Sequence, residues 1–269
     1  MKKLIALGLA VITAAFTLTA CDKGSSDSDL AAIEKAGKMV IGITEYEPMN
    51  YYDDNGELIG FDTEFAKEVC ELLGVEADFQ IIDWDMKETE LKAKNIDCIW
   101  NGLTVTEDRK ENMDFTDTYL ANKQCIIINK KSADKLSKAE GYDKDTVIAA
   151  ESGSAGETAI ADNENLSKCQ YVAADSQTAA LLGLLSGNYD AIVVDYTLGN
   201  ASVGRGDYAD MQIVDSIELE DELYAIGFRL GSDLTAKVNE LIKSLRESGV
   251  LADIAAKYNV TDLYEQAAQ

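Results

Sequence analysis

Alternation of short apolar runs with amphipathic stretches is the feature that most limits how this chain can fold. Apolar runs typical of buried strands occur at 39–44 (MVIGIT), 96–100 (IDCIW) and 190–195 (DAIVVD). Residues 62–74, between the first two runs, and 232–249, after the last, place apolar residues at helical spacing. Continuous apolar strands separated by helices indicate an α/β fold with parallel-type sheets covered by helices on both faces. Further strands are predicted at 77–83, 125–130, 146–150, 171–175 and 224–230, and further helices at about 86–94 and 176–186.

Two segments of the chain repeat the same order of features. LKAKNIDCIWNG, around Asn95, and LLSGNYDAIVVD, around Asn188, each run from a helix end through Asn, an apolar residue and Asp into a buried strand. The pattern predicts two similar lobes, with a chance likeness of two helix–strand junctions as the alternative. Ligands bind beyond the carboxyl ends of parallel strands. We therefore expect 100–102 and 194–195 to face a cleft between the lobes.

The first residues are typical of a targeting segment rather than of a folded domain. Lys2 and Lys3 precede a short apolar run, so residues 1–20 are predicted to be a secretory signal. Cys21 follows Leu-Thr-Ala, which resembles a bacterial lipobox and predicts a lipid anchor at the outer face of the cell membrane. An ordinary signal peptide with a nearby cysteine is the alternative. The polar segment 21–30 is predicted to be a flexible tether.

Charge and the absence of histidine exclude several classes of function. The chain has 49 acidic and 24 basic residues and a net charge of −25 at pH 7, so nucleic acid is a poor partner for its folded body. It has no histidine, which excludes Ser-His-Asp and Cys-His catalysis and most transition-metal sites. We expect no catalytic residue, no metal and no cofactor.

Four cysteines follow the predicted anchor, and their spacing does not match a zinc site. Cys70 and Cys98 fall in a predicted helix and strand of one lobe, so a disulfide between them is one alternative. We expect instead that they, with Cys125 and Cys169, are free and mostly buried thiols.

Five motifs occur in the order of a known family across about residues 38–260. They are NGELIGFDTEFAKEVCELLGV, IDWD, NIDCIWNGLTVTEDRKENMDFTDTYL, SGNYDAIVVD and ESGVLADIAAKYNV. Together they resemble the extracellular solute-binding proteins of ABC importers, family 3, the polar amino-acid group. The resemblance implies a monomer with the type II periplasmic-binding-protein fold, which closes its two lobes on one free L-amino acid. An ABC permease pair and an ATPase would be its partners.

The same resemblance implies the division of the chain. Lobe 1 would consist of 31–123 and 220–269, and lobe 2 of 124–219. Two strand crossings, near 119–124 and 220–225, would join them.

Residues after the strand at 96–100 are predicted to bind the ligand carboxylate. Arg109 matches the family's carboxylate-binding arginine in its T-x-T-x-x-R-K motif, and a guanidinium offers a charged, planar pair of donors. Thr104 would add a hydroxyl or amide group, and Gly102 would let the backbone approach the ligand. Thr106 is expected to stabilise the following helical turn. A surface salt bridge is the alternative for Arg109.

Lobe 2 is predicted to complete the site. Asp195 matches the family's ammonium-binding aspartate, with a helix cap as the alternative, and Asn101 of lobe 1 would add a carbonyl group. The turn in AESGSAGET resembles the family's second carboxylate contact, which Ser154, Ala155 and Gly156 would form at a helix start.

Aromatic residues are expected to sandwich the apolar part of the ligand. Tyr46 follows the first strand, and Trp84 in IDWD matches an aromatic residue that the family stacks on its ligand. A core position is the alternative for each of these two residues, and Trp100 allows both interpretations.

Acidic residues around the predicted cleft indicate the class of side chain. Glu45, Asp85 and Glu151 would attract a cationic group, and Trp84 would stack on a guanidinium. A basic or polar amino acid is therefore predicted. Glutamine, cystine or another neutral amino acid is the alternative if the acidic residues belong to the general acidic surface, and glutamate and aspartate are disfavoured.

Two other functions fit such a fold. An enzyme of dehydratase type, acting on a small carboxylate, would need an acid or base in the cleft. A surface sensor for amino acids that is not coupled to transport would have the same pair of lobes.

Overall fold

Two β-sheets flanked by helices organise residues 28–267, the part of the chain that the computed structural model describes. The strands are β1 (Lys38–Ile43), β2 (Tyr51–Tyr52), β3 (Leu58–Ile59), β4 (Glu76–Ile81), β5 (Cys98–Ile99), β6 (Met113–Phe115), β7 (Leu120–Asn129), β8 (Val147–Glu151), β9 (Gln170–Ala174), β10 (Ala191–Asp195), β11 (Met211–Ile213), β12 (Asp221–Tyr224) and β13 (Gly227–Arg229). The helices are α1 (Asp29–Ala36), α2 (Phe61–Leu73), α3 (Lys87–Lys92), α4 (Glu107–Lys110), α5 (Ala133–Leu136), α6 (Ala155–Asp162), α7 (Gln177–Leu185), α8 (Tyr196–Ser202), α9 (Asp233–Glu247), α10 (Val250–Lys257) and α11 (Thr261–Gln266).

Each sheet is the centre of one half of the molecule. The five-stranded sheet has the order β4-β1-β5-β13-β6, and the half around it is called lobe 1. The six-stranded sheet has the order β11-β7-β10-β8-β9, with β12 paired to β7, and the half around it is called lobe 2. The predicted α/β fold with two lobes is confirmed.

Both sheets are mixed rather than parallel throughout. In lobe 1, β1 is parallel to β4 and β5, while β13 is antiparallel to β5 and β6. In lobe 2, β8 is parallel to β9 and β10, while β7 is antiparallel to β10 and β11. Parallel neighbours need a crossover connection, which the helices supply. The antiparallel strand β7 carries the chain from lobe 1 into lobe 2, and the antiparallel strand β13 carries it back into the sheet of lobe 1.

The repeated sequence pattern corresponds to a repeated junction. Asp97, before β5, accepts a hydrogen bond through Oδ2 from the backbone N–H of Val40 over 2.9 Å. Asp190, before β10, accepts the equivalent bond from Val147 over 2.9 Å. Each aspartate therefore ties the start of its strand to the neighbouring parallel strand. The two strands whose ends reach the cleft are positioned in the same way.

The helices begin and end close to their predicted limits. In α2, Phe65 and Val69 are buried, and Gly74 ends the helix with a φ of 71° in the left-handed region. Ser176 caps α7, because its side-chain oxygen accepts a hydrogen bond from the N–H of Ala179. Apolar spacing and local capping residues were sufficient to predict these helices.

One predicted strand is wrong. The run at 224–230 was expected to form a single strand, but β12 ends at Tyr224 and β13 begins at Gly227. β12 pairs with β7 from Leu120 to Lys123, whereas β13 lies in the sheet of lobe 1. The chain changes sheets here, so one apolar run serves two sheets. β12 and the first half of β7 coincide with the predicted crossings.

The start of the described region differs from the predicted tether. Residues 21–30 were expected to be a flexible tether, but Ser28 caps α1 and Asp29 is buried against Arg229. The predicted signal at 1–20 and the predicted anchor at Cys21 lie outside the described residues. No helix within 28–267 is long and apolar enough to cross a membrane.

The cysteines in this part of the chain are free thiols. Cys70, Cys98 and Cys125 are buried, and Cys169 is half-buried. The disulfide alternative for Cys70 and Cys98 is therefore wrong, and the expectation of free, mostly buried thiols is confirmed.

Candidate binding cleft

A cavity between the lobes brings together residues from the ends of several strands and the starts of helices. Lobe 1 contributes Trp84, Asn101, Gly102, Thr104 and Arg109, and lobe 2 contributes Glu151, Ser154, Ala155, Gln177 and Asp195. Most of the residues that the sequence singled out therefore line one cavity. Gln177 was not predicted, and Glu45, Tyr46 and Gly156 are not among the lining residues.

The position of Arg109 follows from a short capped helix. Thr106 caps α4, as predicted, because its hydroxyl oxygen accepts a hydrogen bond from the N–H of Arg109 over 3.2 Å. The Arg109 side chain is buried, and its Nη1 donates to the carbonyl oxygen of Thr104 over 2.8 Å. Among the described residues, no carboxylate forms an ion pair with Arg109, so the alternative of a surface salt bridge is wrong. The guanidinium keeps donor capacity for a ligand.

Gly102 is required by the close packing beneath the cavity. It has a φ of 56°, and a Cβ atom at this position would lie 1.8 Å from the hydroxyl oxygen of Tyr46. Its backbone N–H donates to Oδ2 of Asp62 over 2.7 Å. Asp62 is fully buried and also accepts a hydrogen bond from the Tyr119 hydroxyl. Burial raises the pKa of Asp62 to about 7, and the sequence analysis did not identify this residue.

The side chain of Asn101 is held by its own lobe. Its Nδ2 donates to the Thr44 hydroxyl over 2.8 Å, and its Oδ1 accepts from Nδ2 of Asn50 over 2.7 Å. These bonds fix the end of β5 on the floor of the cavity. The amide nitrogen and oxygen of the Asn101 side chain therefore both have hydrogen-bond partners within lobe 1.

The turn of lobe 2 is held by reciprocal hydrogen bonds. Ser154 accepts from the N–H of Glu157 over 3.2 Å, and the Glu157 carboxylate accepts from the N–H of Gly153 over 2.7 Å. This capping box leaves the amide groups of Ala155 and Gly156 at the helix start, where a helix has no internal acceptor for them. The Gly156 Cα faces β10, since a Cβ there would lie 2.9 Å from the Val193 carbonyl oxygen. Only its backbone N–H is placed for the predicted role.

Asp195 ends β10 and is surrounded by amide groups. Its Oδ1 accepts hydrogen bonds from Asn122 and Gln124, and its Oδ2 accepts from Gln177. The Asp195 backbone N–H donates in return to Oε1 of Gln177 over 2.9 Å. The side chain makes no capping bond to α8, so the alternative of a helix cap is wrong. Burial raises the pKa of Asp195, against the lowering effect of these hydrogen bonds.

Glu222, which the sequence analysis missed, lies beside Asp195. It accepts hydrogen bonds from the Thr104 hydroxyl over 3.0 Å, from Asn122 over 3.0 Å and from Gln124 over 3.1 Å. Burial, and then the charge of Asp195, raise the pKa of Glu222 to about 7. Its partners are far from it in the sequence, and nothing in DELY marked it as a site residue.

Glu151, at the end of β8, is a buried acid that faces the cavity. It is 2% exposed, and its Oε1 has no hydrogen-bond partner among the described residues. Burial, and then the charge of Asp195, raise its pKa to about 8, while Lys87 and Arg109 lower it. A buried carboxyl oxygen without a partner is costly, so this atom is available to a ligand.

The two tryptophans have different environments. Trp84 lines the cavity from a short helical turn, Trp84–Met86, as predicted. Trp100 is fully buried and packs edge-on against Phe65, with ring centroids 4.8 Å apart. Trp100 is therefore a core residue.

Glu45 and Tyr46 of the first loop were predicted to line the cavity, but they are not among its lining residues. Tyr46 is 1% exposed and lies in the core behind Gly102, because its N–H bonds to the Asn50 carbonyl and turns the side chain inward. The Glu45 side chain is exposed, and its backbone carbonyl accepts a hydrogen bond from the Thr178 hydroxyl of lobe 2 over 2.9 Å. Glu45 contributes to contact between the lobes rather than to the lining.

Asp85 lies in an outer hollow next to the cavity. Trp84 borders both spaces, and the outer hollow is lined by Asp83, Trp84, Asp85, Met86, Ser152, Ala173, Ala174 and Asp175. Three aspartates therefore make this outer hollow acidic.

Comparison with known proteins was consistent with this geometry. The family of bacterial extracellular solute-binding proteins, family 3, matches residues 39–261. The arginine-binding extracellular protein of Bacillus subtilis is 29% identical over 262 residues, which cover 96% of this chain and 98% of that protein. Two further Bacillus subtilis relatives are named as L-cystine-binding and glutamine-binding proteins.

Solved structures share the fold over most of their length. An ABC uptake transporter substrate-binding protein from Streptococcus pneumoniae with bound histidine has a TM-score of 0.79 at 27% identity, and the match covers 89% of this chain and 99% of that chain. An ancestral amino acid-binding protein, described as a precursor of cyclohexadienyl dehydratase, has a TM-score of 0.77 at 29% identity, with 86% and 99% coverage. Since the family match spans most of the chain, this protein belongs to the bacterial extracellular solute-binding proteins, family 3.

Proposed function

We propose that this protein binds one free L-amino acid between its lobes, as the substrate-binding component of an ABC importer. The observation that carries the proposal is that Arg109 and Asp195, from different lobes, line one cavity. An amino acid has a carboxylate and an ammonium group, and each needs a partner of opposite charge once water is excluded. Arg109 and Asp195 supply these two partners.

The carboxylate would be held from both lobes. Arg109 would donate through its guanidinium, and the Ala155 and Gly156 amides at the start of α6 would donate from the opposite side. Thr104 and Ser154 line the cavity between these donors. The ammonium group would lie against Asp195 and the backbone of Asn101.

For the side chain we propose a basic or polar amino acid. Glu151 faces the cavity, its Oε1 has no hydrogen-bond partner within residues 28–267, and the outer hollow carries Asp83, Asp85 and Asp175. Trp84 lies between the two spaces and offers a ring on which a guanidinium or imidazole would stack. Relatives named for arginine and histidine support this class, and those named for glutamine and cystine support the polar alternative.

Capture would take place by closure of the lobes. We propose lobe limits of 31–123 with 220–269 and 124–219, with β7 and β12 as the hinge. A ligand that contacts both lobes binds the closed form better than the open form, and this difference in affinity shifts the equilibrium toward closure. The closed form would be the state that the permease recognises.

The deciding experiment is a thermal-shift screen of the purified protein against the twenty amino acids, ornithine and cystine. We expect a rise in Tm with arginine, histidine, lysine or ornithine. Calorimetry with the amino acids that raise Tm would then give Kd. A rise with glutamine or cystine alone would change the side-chain class. No rise with any of them would contradict the proposed function.

An enzyme acting on a small carboxylate is the second candidate, and one observation favours it. Glu151 is a buried acid in the cavity with a raised pKa, and one structural neighbour is described as a precursor of a dehydratase. We propose that the protein is not an enzyme, since its curated relatives are named as binding proteins. Incubation with small cyclohexadienyl carboxylates, followed by product analysis, tests this, and turnover that Glu151→Gln abolishes would establish the enzyme.

We also propose that Cys21 carries a lipid that anchors the protein at the outer face of the cell membrane. Metabolic labelling with an alkyne fatty acid should label the wild type and not Cys21→Ser. Equal labelling of both would contradict the anchor. Copurification of a permease and an ATPase would distinguish an importer component from a sensor.

A further inference from the structure

Two carboxyl groups at the hinge share the same two hydrogen-bond donors. Nδ2 of Asn122 donates both to Oδ1 of Asp195 and to Oε2 of Glu222, at 3.0 Å each. Nε2 of Gln124 donates to the same two oxygens. An amide nitrogen has two hydrogens, so each carboxyl group takes one from each amide.

The shared donors join the site to both crossing strands. Asn122 and Gln124 lie on β7, Glu222 lies on β12, and Asp195 ends β10 of lobe 2. The Thr104 hydroxyl, which donates to Glu222, brings lobe 1 into the same network.

Two negative charges here would have no cation in direct contact. Among the described residues, neither Asp195 nor Glu222 forms an ion pair, and the nearest guanidinium, that of Arg109, donates to the carbonyl oxygens of Thr104 and Gly153. Like charges in a partly buried site disfavour double ionisation. The other ionisable groups facing the pair from the surrounding elements are Glu151 on β8, Tyr224 on β12, Cys125 on β7, Tyr46 in the first loop and Arg109 on α4.

We infer that Glu222 is a positioning residue for the ligand's ammonium group: in the free protein the pair of Glu222 and Asp195 retains one proton, and the ammonium group displaces it. The inference rests on the proposed function. The ammonium brings the positive charge that the proton supplied, the proton passes to solvent, and Asp195 becomes fully ionised against the ligand. Burial and the neighbouring carboxylate raise the pKa of Glu222 toward neutrality, which puts the exchange near physiological pH.

Two measurements follow for ligand binding. The affinity should rise about tenfold from pH 6 to pH 8, because binding favours the deprotonated pair. Calorimetry near pH 7 in buffers of different ionisation enthalpy should show release of a fraction of one proton per ligand.

Glu151 also titrates in the cavity, so the comparison uses Glu151→Gln as the background. The probe is the amino acid that gives the largest thermal shift with Glu151→Gln itself, since the ammonium group is common to all amino acids and Glu151 is proposed to face the ligand side chain. Glu151→Gln should keep the pH dependence and the proton release, and Glu151→Gln with Glu222→Gln should lose both. Equal pH dependence and equal release in the two proteins would overturn the inference.

A measurement without ligand separates this inference from the proposed function. In Glu151→Gln protein labelled with ¹³C at glutamate carboxyl carbons, one resonance should titrate near neutral pH, and it should disappear when Glu222→Gln is added. Absence of such a resonance would overturn the inference even if amino acids bind. A Glu222 resonance that titrates near neutral pH in a protein that binds no amino acid would contradict only the proposed function.

Discussion

Arg109 donates a hydrogen bond from Nη2 to the backbone carbonyl oxygen of Gly153, over 3.2 Å and across the cleft between the lobes. Nζ of Lys87 donates to the same oxygen over 2.9 Å. Two cations of lobe 1 therefore meet one carbonyl group of lobe 2. A carboxylate is a stronger acceptor than a carbonyl oxygen, so a bound ligand would take over the Arg109 donor while Lys87 keeps its bond.

The planar pair of donors in the Arg109 guanidinium is expected to contribute to ligand affinity in addition to its charge. Arg109→Lys keeps the charge but loses the paired donors, and we expect Kd for the ligand to rise more than tenfold. Calorimetry measures this effect. Lys110→Ala is the matched control, because Lys110 is exposed and pairs with Glu107 on the same short helix. Unchanged affinity in Arg109→Lys would contradict the role assigned to the guanidinium.

The environments of the two tryptophans lead to a fluorescence prediction. Trp84 lines the cavity and Trp100 is packed in the core, so ligand binding should change the emission of Trp84 only. Titration with ligand should change the emission of Trp100→Phe and leave that of Trp84→Phe nearly constant. The reverse result would show that Trp84 does not face the ligand.

Lys87 is expected to stabilise the closed form. It is buried and its ammonium group also lies 5.0 Å from the centre of the Trp84 ring. Lys87→Met removes a charged hydrogen bond between the lobes, which contributes on the order of 1–2 kcal/mol, so Kd should rise roughly 5- to 30-fold.

Small-angle scattering of the free protein tests the same point without ligand. Lys87→Met should have a larger radius of gyration than the wild type, since the open form becomes more populated. Lys92→Met, at the exposed end of the same helix, is the control. Equal radii and equal Kd for all three proteins would argue against a contact that holds the lobes together.

Buried Asp62 should make the stability of the free protein depend on pH. Its pKa rises from the ordinary value near 4 to about 7 on folding, so the native state binds the proton more tightly than the unfolded state. The free energy of unfolding should therefore fall as the pH rises from about 4 to about 7. The effect is on the order of a few kcal/mol.

Denaturation of Asp62→Asn at several pH values measures this contribution. An amide of the same shape can still accept the hydrogen bond from Gly102, and the variant should lose part of the pH dependence. Asp54→Asn, at an exposed position, should behave as the wild type. If both variants follow the wild-type curve, Asp62 does not titrate as described.

Residues whose position depends on local structure were predictable from the sequence. Thr106 and Ser154 lie three residues before the groups that they cap, so short motifs were enough to place them. Trp84 and Arg109 were identified from short family motifs, IDWD for Trp84 and the motif that begins at Thr104 for Arg109. Gln177 and Glu222 were missed because their partners, Asp195 for Gln177 and Gln124 for Glu222, are not their neighbours in the chain and meet them only at the cleft.

The sequence by itself determined the alternation of strands and helices and the repeated junction, because these depend on the spacing of apolar and capping residues along the chain. The family was identified from the resemblance of its motifs. The tertiary structure alone decided which side chains meet in the cavity. In the folded chain Tyr46 and Trp100 lie in the core and Glu45 lies at the surface. Glu222 lies beside Asp195 and shares the Asn122 donor with it. The physical reason is that burial and shared hydrogen-bond donors depend on segments of both lobes that come together only when the chain has folded.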